Sequence, residues 1–316
     1  MSFLEPEKSE GHLLISYSGY EVIFSDVDLK LVHLLNQGRS YPVVIKGDKE
    51  ETLVISNVRA VSGIDREQVV KEVSRASILA VSVGKNTLEK IIPLIGEGLK
   101  ARYESDKNRP LDIIIAENMR SAGAFMHERL SQHLPADYPL DRLVGFVETS
   151  IGKMVPIMTQ SDLENDPLVV FAEPYNSLII DKKGFKGPIP EVKGLSPKDN
   201  IKAWVDRKAF IHNLGHVSAA YFGFYKHPEA NYLYEILDDK EVYGFTREIM
   251  IQSALILHVA YSDDFTTSDL EEHIDDLLMR FRNKALKDTI YRVGHDLTRK
   301  LKPRIVKWKL YTNTYY

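Results

Sequence analysis

Apolar and polar positions along the first half of the chain follow two alternating periods. Short β-branched runs recur between stretches with helical spacing. Glu21–Ser25 (EVIFS) reads as a strand, and Val27–Gln37 (VDLKLVHLLNQ) as a helix that Gly38 stops. Tyr41–Lys46 and Leu53–Val58 read as two further strands with a Gly-Asp turn between them. Ile78–Val83 (ILAVSV) is a continuous apolar run, as expected of a strand buried on both faces. It ends at Gly84, and the spacing predicts a helix over about Asn86–Tyr103. Leu111–Ala116 (LDIIIA) repeats the pattern, followed by polar Glu117-Asn118 and a helix near Ala122–Leu134. Strands near Leu143–Glu148, Leu168–Ala172 and Leu178–Ile180 extend the series. This alternation predicts an α/β fold, a mostly parallel sheet with helices on both faces.

The pattern changes at Gly184–Pro197 (GFKGPIPEVKGLSP), where three prolines and three glycines fall close together. Beyond it the periodicity is helical over about Asp199–Tyr225, Asp239–Tyr261, Thr267–Arg282 and Asp288–Arg292. The expected layout is a sheet domain over residues 1–194 and an all-α domain over 195–316, with a crevice between them. There is no internal repeat and no low-complexity segment.

Composition narrows the function classes. A length of 316 residues suits two domains at roughly 150 residues each. With 41 Lys and Arg against 45 Asp and Glu, the net charge is −4. That balance offers no electrostatic footprint for nucleic acid or an anionic membrane. The chain has no cysteine, which removes disulfides, thiolate zinc sites and cysteine nucleophiles together. No apolar run approaches the roughly 18 residues needed to span a bilayer, and the mean hydropathy is −0.23. The first ten residues (MSFLEPEKSE) lack the apolar core of a signal peptide, so a cytoplasmic protein is expected.

In open parallel sheets, ligands sit outside the carboxyl ends of the strands. Here those ends carry Asp26, Gly84 and Glu117-Asn118. Asp26 either accepts hydrogen bonds from a ribose, favouring NAD over NADP, or caps the following helix. Gly84 either lets the backbone approach a cofactor or simply ends a strand. The segment richest in chemistry is Arg207–Phe224 (RKAFIHNLGHVSAAYFGF). At about 100° per residue, Phe210, Leu214, Val217 and Tyr221 form an apolar stripe. Lys208, His212 and His216 lie roughly opposite, with Asn213 at the edge of that side. No other charged residue stands between Lys208 and Lys226, so this side is expected to be the wall of a polar pocket. The i, i+4 histidines invite a metal reading, but Asn213 stands where a zincin helix needs Glu, and no third ligand is evident. Lys208 is either a surface ion-pair partner or, desolvated in a cleft, a base near neutral pH. Asn and His beside such a base can hold an alkoxide oxygen as it becomes a carbonyl, which suits metal-free alcohol oxidation.

Taken together, the segments Gly19–Asp28, Ile114–Met119, Gly145–Pro156, Phe185-Lys186-Gly187, Arg207–Tyr221 and Arg292–Leu301 resemble the mannitol-1-phosphate 5-dehydrogenase family. These are zinc-independent, polyol-specific long-chain dehydrogenases. The resemblance covers most of residues 11–301, and its most specific part is the Lys-x4-Asn-x2-His helix. It implies a Rossmann-like domain binding NAD, with Asp26 at the adenosine ribose and Val83 and Gly84 lining the cofactor cleft. It also implies Lys208 as general base, Asn213 and Asn118 on the reacting oxygen, and His216 orienting the substrate. The implied reaction interconverts mannitol 1-phosphate and fructose 6-phosphate with NAD. The partner is thus a small polyol phosphate, and the pattern says nothing about oligomeric state.

Three departures from the family pattern shape the expectations. Gly152-Lys153-Met154-Val155-Pro156 stands where the family usually has Asp-Arg-Ile-Val-Pro, and Lys85 where Pro is common. Lysine lacks arginine's planar fork of donors, which keeps a tagaturonate- or fructuronate-type sugar-acid reductase as an alternative. The family opens with a strand and a Gly-rich phosphate loop; here Phe3–Glu10 precedes Gly11–Leu14, which matches the helix after that loop. Read two bases out of frame, the codons of Phe3–Gly11 accommodate the loop. The expectation is therefore a frameshift or gene-model error, with a catalytically inactive remnant as the other reading. The match also stops after Leu301, before the tail Lys302–Tyr316, so the helical domain is expected to be truncated.

Overall fold

The computed structural model describes residues 19–155 and 158–295. The Gly-rich-loop region, the tail Lys302–Tyr316 and Pro156 lie outside the described residues. The chain divides into two units, Met1–Ile201 and Lys202–Tyr316.

The first elements among the described residues are β1 (Val22–Asp26) and α1 (Leu29–Gly38). Asp28 starts the helix by accepting the N–H groups of Lys30 and Leu31, and Arg39 ends it in the left-handed conformation at φ 47°. β2 (Ser40–Ile45) and β3 (Glu51–Ser56) form an antiparallel pair. The sequence pattern continues the second of these runs through Val58, but Asn57 turns the chain at φ 60°. Val58 instead opens β4 (Val58–Ser62), which lies parallel to β1. The next helix, α2 (Arg66–Arg75), is absent from the hydropathy reading because only Val69 and Val73 are buried in a polar segment. Its cap is Asp65.

β5 (Ile78–Val81), α3 (Lys85–Ser105), β6 (Leu111–Ile115), α4 (Ala122–Ser131) and β7 (Val144–Ile151) form a run of three parallel strands with two helices between them. β5 pairs with β6 and β6 with β7, all parallel. Every residue of β6 is buried, as its unbroken apolar run requires. Leu88, Ile92 and Leu99 of α3 and Met126 and Leu130 of α4 pack on this sheet with no more than 1% of each residue exposed. β9 (Leu178–Asp181) joins β7 antiparallel, and β10 (Leu195–Lys198) lies parallel to β9. β8 (Val170–Ala172) departs from the expected continuation. It pairs with β2, so Leu168–Ala172 belongs to a separate three-stranded sheet with its own core around Tyr41, Val43 and Ile55.

Two buried charges fix the loops of this unit. Arg102 donates to the carbonyls of Ser74, Ala76, Arg109 and Pro110, holding together the segments that lead into β5 and β6. Asp112 in β6 accepts the backbone N–H groups of Lys186 at 2.7 Å and Gly187 at 3.1 Å. A Cβ on Gly145, beside it in β7, would stand 2.0 Å from Asp112 Oδ1, so the pairing needs glycine there.

In the helical unit the single helix expected over Asp199–Tyr225 is three segments. α5 (Ile201–Arg207) leads into a π-helical turn, Lys208–His212, and α6 (Asn213–Lys226) follows. Among the described residues a short helix over Leu233–Ile236 follows, then α7 (Lys240–Ala260), α8 (Thr267–Phe281) and α9 (Ile290–Gly294). α6 and α7 approach closely: a Cβ on Gly215 would lie 2.3 Å from Met250 Sδ. α9 is tied back by Tyr221, whose hydroxyl donates to the Gly294 carbonyl at 3.1 Å. No helix among the described residues is long and apolar enough to cross a membrane.

Candidate active site

The carboxyl ends of β1, β5 and β6 carry the residues singled out in the sheet unit. Asp26 is buried at the end of β1 and accepts the Asp28 N–H at 2.8 Å. The cap of α1 is therefore Asp28, and Asp26 does not serve that purpose. Val83 and Gly84 form the link from β5 to α3. Gly84 adopts φ 78°, a conformation glycine reaches without strain, and open space surrounds the position its Cβ would take. One buried side chain holds this link: Glu117 Oε1 accepts the N–H of Val83 at 2.6 Å and of Gly84 at 3.0 Å. Asn118, the next residue, is exposed. Beside it, Glu148 of β7 accepts the Gly123 N–H at 3.0 Å. Burial, and more weakly Asp181, push the Glu148 carboxyl up, against the hydrogen bond from Gly123.

In the helical unit the decisive geometry is the π turn. Its closing bond runs from the Asn213 N–H to the Lys208 carbonyl, five residues back. In an undistorted α-helix five residues advance about 500°, leaving the two side chains about 140° apart. The wider turn closes much of that gap, while Asn213 and His216, three apart, already share a face. The turn thus gathers Lys208, Asn213 and His216, all half-buried, along one side. Ser253 of α7 sustains the distortion by donating its hydroxyl to the Phe210 carbonyl within the turn.

Within that stretch His212 is buried, with its ring edge-on to Phe281 at 5.6 Å. Burial holds its imidazole well below the usual range, helped by the charges of His216, Arg280, Lys208 and His273. His216 stacks flat on Phe281, ring centroids 4.5 Å apart and 10° from parallel. Its Nε2 stands 3.0 Å from Oδ2 of Asp288, an ion-pair contact off the line of a good hydrogen bond. Asp288 also accepts both arms of Arg292, at 2.8 and 2.7 Å. Among the described residues no three His, Asp or Glu side chains converge as metal ligands.

These features can be set beside known proteins. The family model described as the mannitol dehydrogenase Rossmann domain matches residues 10–194, and that of the mannitol dehydrogenase C-terminal domain matches residues 200–313. The chain belongs to the mannitol dehydrogenase family. It is 32% identical over 291 residues to the mannitol-1-phosphate 5-dehydrogenase of Geobacillus stearothermophilus, covering 91% of this chain and 74% of that protein. Among solved structures it is similar to a D-sorbitol dehydrogenase in substrate-free form, with a TM-score of 0.76 at 14% identity, covering 93% of this chain and 72% of that one. A Pseudomonas fluorescens mannitol 2-dehydrogenase, in a ternary complex with NAD and D-mannitol, gives a TM-score of 0.65 at 17% identity, over 88% of this chain and 64% of that one. Likeness at these identities concerns the fold alone.

Several residues of this mannitol dehydrogenase family member escape a reading of residue types. Glu117 looks like a polar end to a buried strand; only the structure shows it gripping two backbone amides. Asp288 and Arg292 are spaced i, i+4, a signal of pairing, but nothing in that spacing points to His216. Ser253 sits in an apolar helix and gives no sign that it braces a turn 43 residues away.

Proposed function

We propose that the protein is an NAD-dependent polyol-phosphate dehydrogenase that interconverts mannitol 1-phosphate and fructose 6-phosphate without a metal. In this reading residues 1–194 serve the cofactor and 195–316 the substrate. The observation that carries it is the π turn that lines up Lys208, Asn213 and His216 within a chain matching both family domains. The phosphorylated substrate is favoured by the 32% identity to a mannitol-1-phosphate 5-dehydrogenase, and NAD by the fold neighbour with that cofactor.

The described cofactor-side residues fit NAD. Asp26 offers a carboxylate at the end of β1 where a ribose diol would be held, and Gly84 leaves open space at the start of a 21-residue helix. The nicotinamide ring of bound NAD is the hydride acceptor of such a reaction. Lys208 Nζ, in its neutral form, takes the proton of the secondary hydroxyl as the C–H bond gives up its hydride, so the alcohol becomes a ketone. The Asn213 amide donates to the oxygen that carries the developing charge. His216 orients the neighbouring hydroxyls. His212, kept neutral by burial, adds no positive charge of its own beside Lys208.

The test is loss of NADH absorbance with fructose 6-phosphate, run beside tagaturonate and fructuronate and paired with a calorimetric NADH titration. Turnover of fructose 6-phosphate is the expected result. Turnover of the ketouronates alone would make the protein a sugar-acid reductase. A folded chain with no NADH affinity would identify an inactive relative.

A further inference from the structure

Asp288 is buried, yet both of its oxygens face side chains that can carry charge. Its backbone is fixed independently of them. The Asp288 carbonyl accepts the Leu233 N–H at 3.0 Å, and Tyr232 and Thr289 form an isolated antiparallel bridge beside it. The carboxylate therefore sits at a set height on the entry to α9. Burial pushes its carboxyl up, but His216 and Arg292 outweigh that and hold it below the usual carboxylate range. It is an anion at neutral pH, clamped by the Arg292 fork, with Oδ2 3.0 Å from His216 Nε2.

An anion facing one ring nitrogen decides where the imidazole proton resides. With Nε2 toward Asp288, the neutral ring carries its proton there, and Nδ1 is left as the acceptor. Phe281 fixes the plane of the ring by stacking. The stacking fixes the ring's orientation, and the Asp288 carboxylate at 3.0 Å biases the neutral form of the ring toward a proton on Nε2. The other charged or titratable groups nearby are Arg292 on α9 and His212, whose ring centroid is 6.0 Å away. Lys208, Arg280 and His273 act in turn on His212. Among the described residues, Asp288 is the group in ion-pair contact with Nε2.

The geometry points to Asp288 as a positioning residue: it holds His216 as the Nε2-protonated tautomer, presenting Nδ1 as an acceptor for a substrate hydroxyl. Arg292 fixes the carboxylate that does so. The substrate half of this inference rests on the function proposed above; the tautomer half does not.

Two measurements keep the halves separate. The first is a long-range ¹H–¹⁵N spectrum of the full chain labelled at histidine, with His216 assigned through a His216→Asn variant. The wild type should show His216 protonated at Nε2. Asp288→Asn should change its ring-nitrogen signals while those of His273 stay in place. If Asp288→Asn does not fold, Asp288→Glu, which moves the charge by one methylene, is read in the same way. Unchanged His216 signals in either folded variant would overturn the inference whether or not the enzyme turns over.

The second measurement is a double-mutant cycle in kcat/KM for fructose 6-phosphate. Asp288→Asn should lose about 10- to 100-fold, the range for partners that orient a functional imidazole. Combined with His216→Asn, it should add less than about threefold, because a residue acting through His216 has nothing left to position. Independent, multiplying losses would make Asp288 a structural partner of Arg292 only. If the wild type turns over no polyol phosphate, the proposed function fails, and the spectrum alone decides the tautomer.

Discussion

Buried carboxylates face different partners in the two units. In the sheet unit they turn toward backbone: Asp112 holds Lys186 and Gly187, Glu117 holds Val83 and Gly84, and Glu173 holds Met154. In the helical unit they turn toward side chains: Asp288 meets His216 and Arg292, and Asp206 meets Lys202 and the Tyr261 hydroxyl. Burial, together with the bond to Asp206, pushes that phenol up to about 12. A carboxylate bound to backbone amides fixes the shape of a loop. One bound to titratable side chains fixes where protons reside. The first arrangement suits a site that recognises a large cofactor through its main chain, the second a site that moves a proton.

Perturbing each unit separately tests that division. The largest effect is expected from Lys208→Ala, which should lower kcat by about 10²- to 10⁴-fold, the usual contribution of a positioned base. NADH affinity, read by fluorescence titration, should stay within about twofold. An equal loss of cofactor affinity would erase the distinction between the units.

Next is the response to acid. His212 and His273 are both held well below the usual imidazole range, chiefly by burial. Below about pH 6.5 the unfolded chain gains protons that the folded chain refuses. Stability is therefore full above that pH and is lost as pH falls, by up to about 1.4 kcal/mol per pH unit for each histidine. Urea unfolding at pH 7, 6 and 5 measures the slope, and a flat profile over this range would count against both buried neutral rings. A comparable effect belongs to the sheet unit. Glu117→Ala strands the amides of Val83 and Gly84, and should weaken NADH binding about tenfold, or ~1.4 kcal/mol. Its kcat at saturating NADH should be nearly unchanged. The smallest is Ser253→Ala, which removes the hydroxyl from the Phe210 carbonyl and should cost about 1 kcal/mol in urea unfolding. If kcat falls with it while NADH affinity holds, the π turn matters to the chemistry of the helical unit and not merely to its packing.

Much of this arrangement was legible in residue order, and its failures have physical causes. β6 and β5 announced themselves because burial on both faces demands unbroken apolar runs. α8 was equally plain, with Leu270, Ile274, Leu277 and Phe281 at helical spacing; its cap, Thr266, is seen only in the structure. α2 was missed because a helix covering its neighbours with two valines carries little periodic signal. β8 was assigned to the wrong sheet because hydropathy reports burial and says nothing of partners. On the candidate site, the Lys-x4-Asn-x2-His spacing draws attention to this stretch but carries no sign of its π-helical shape. A uniform 100° per residue leaves Asn213 at the edge of the side that carries Lys208 and His216, whereas the five-residue ring draws it closer; His212 stays near Lys208 but is buried. A π turn depends on a brace from elsewhere, here Ser253, and no local pattern contains that information.

The contact between Asp112 and the Lys186-Gly187 amides spans 74 and 75 residues of chain. Loop-closure entropy grows as (3/2)RT ln n, about 4 kcal/mol at that length before the constant term. Such a contact forms only after the strands on either side have already been drawn together. During synthesis, β6 emerges long before its carboxylate can find those two amides, and for that interval the acid depends on water. The Phe-Lys-Gly turn therefore acts as a late latch on the sheet. Substitutions at Asp112 should mainly speed unfolding and leave the folding rate nearly unchanged, as read from the two arms of a chevron plot.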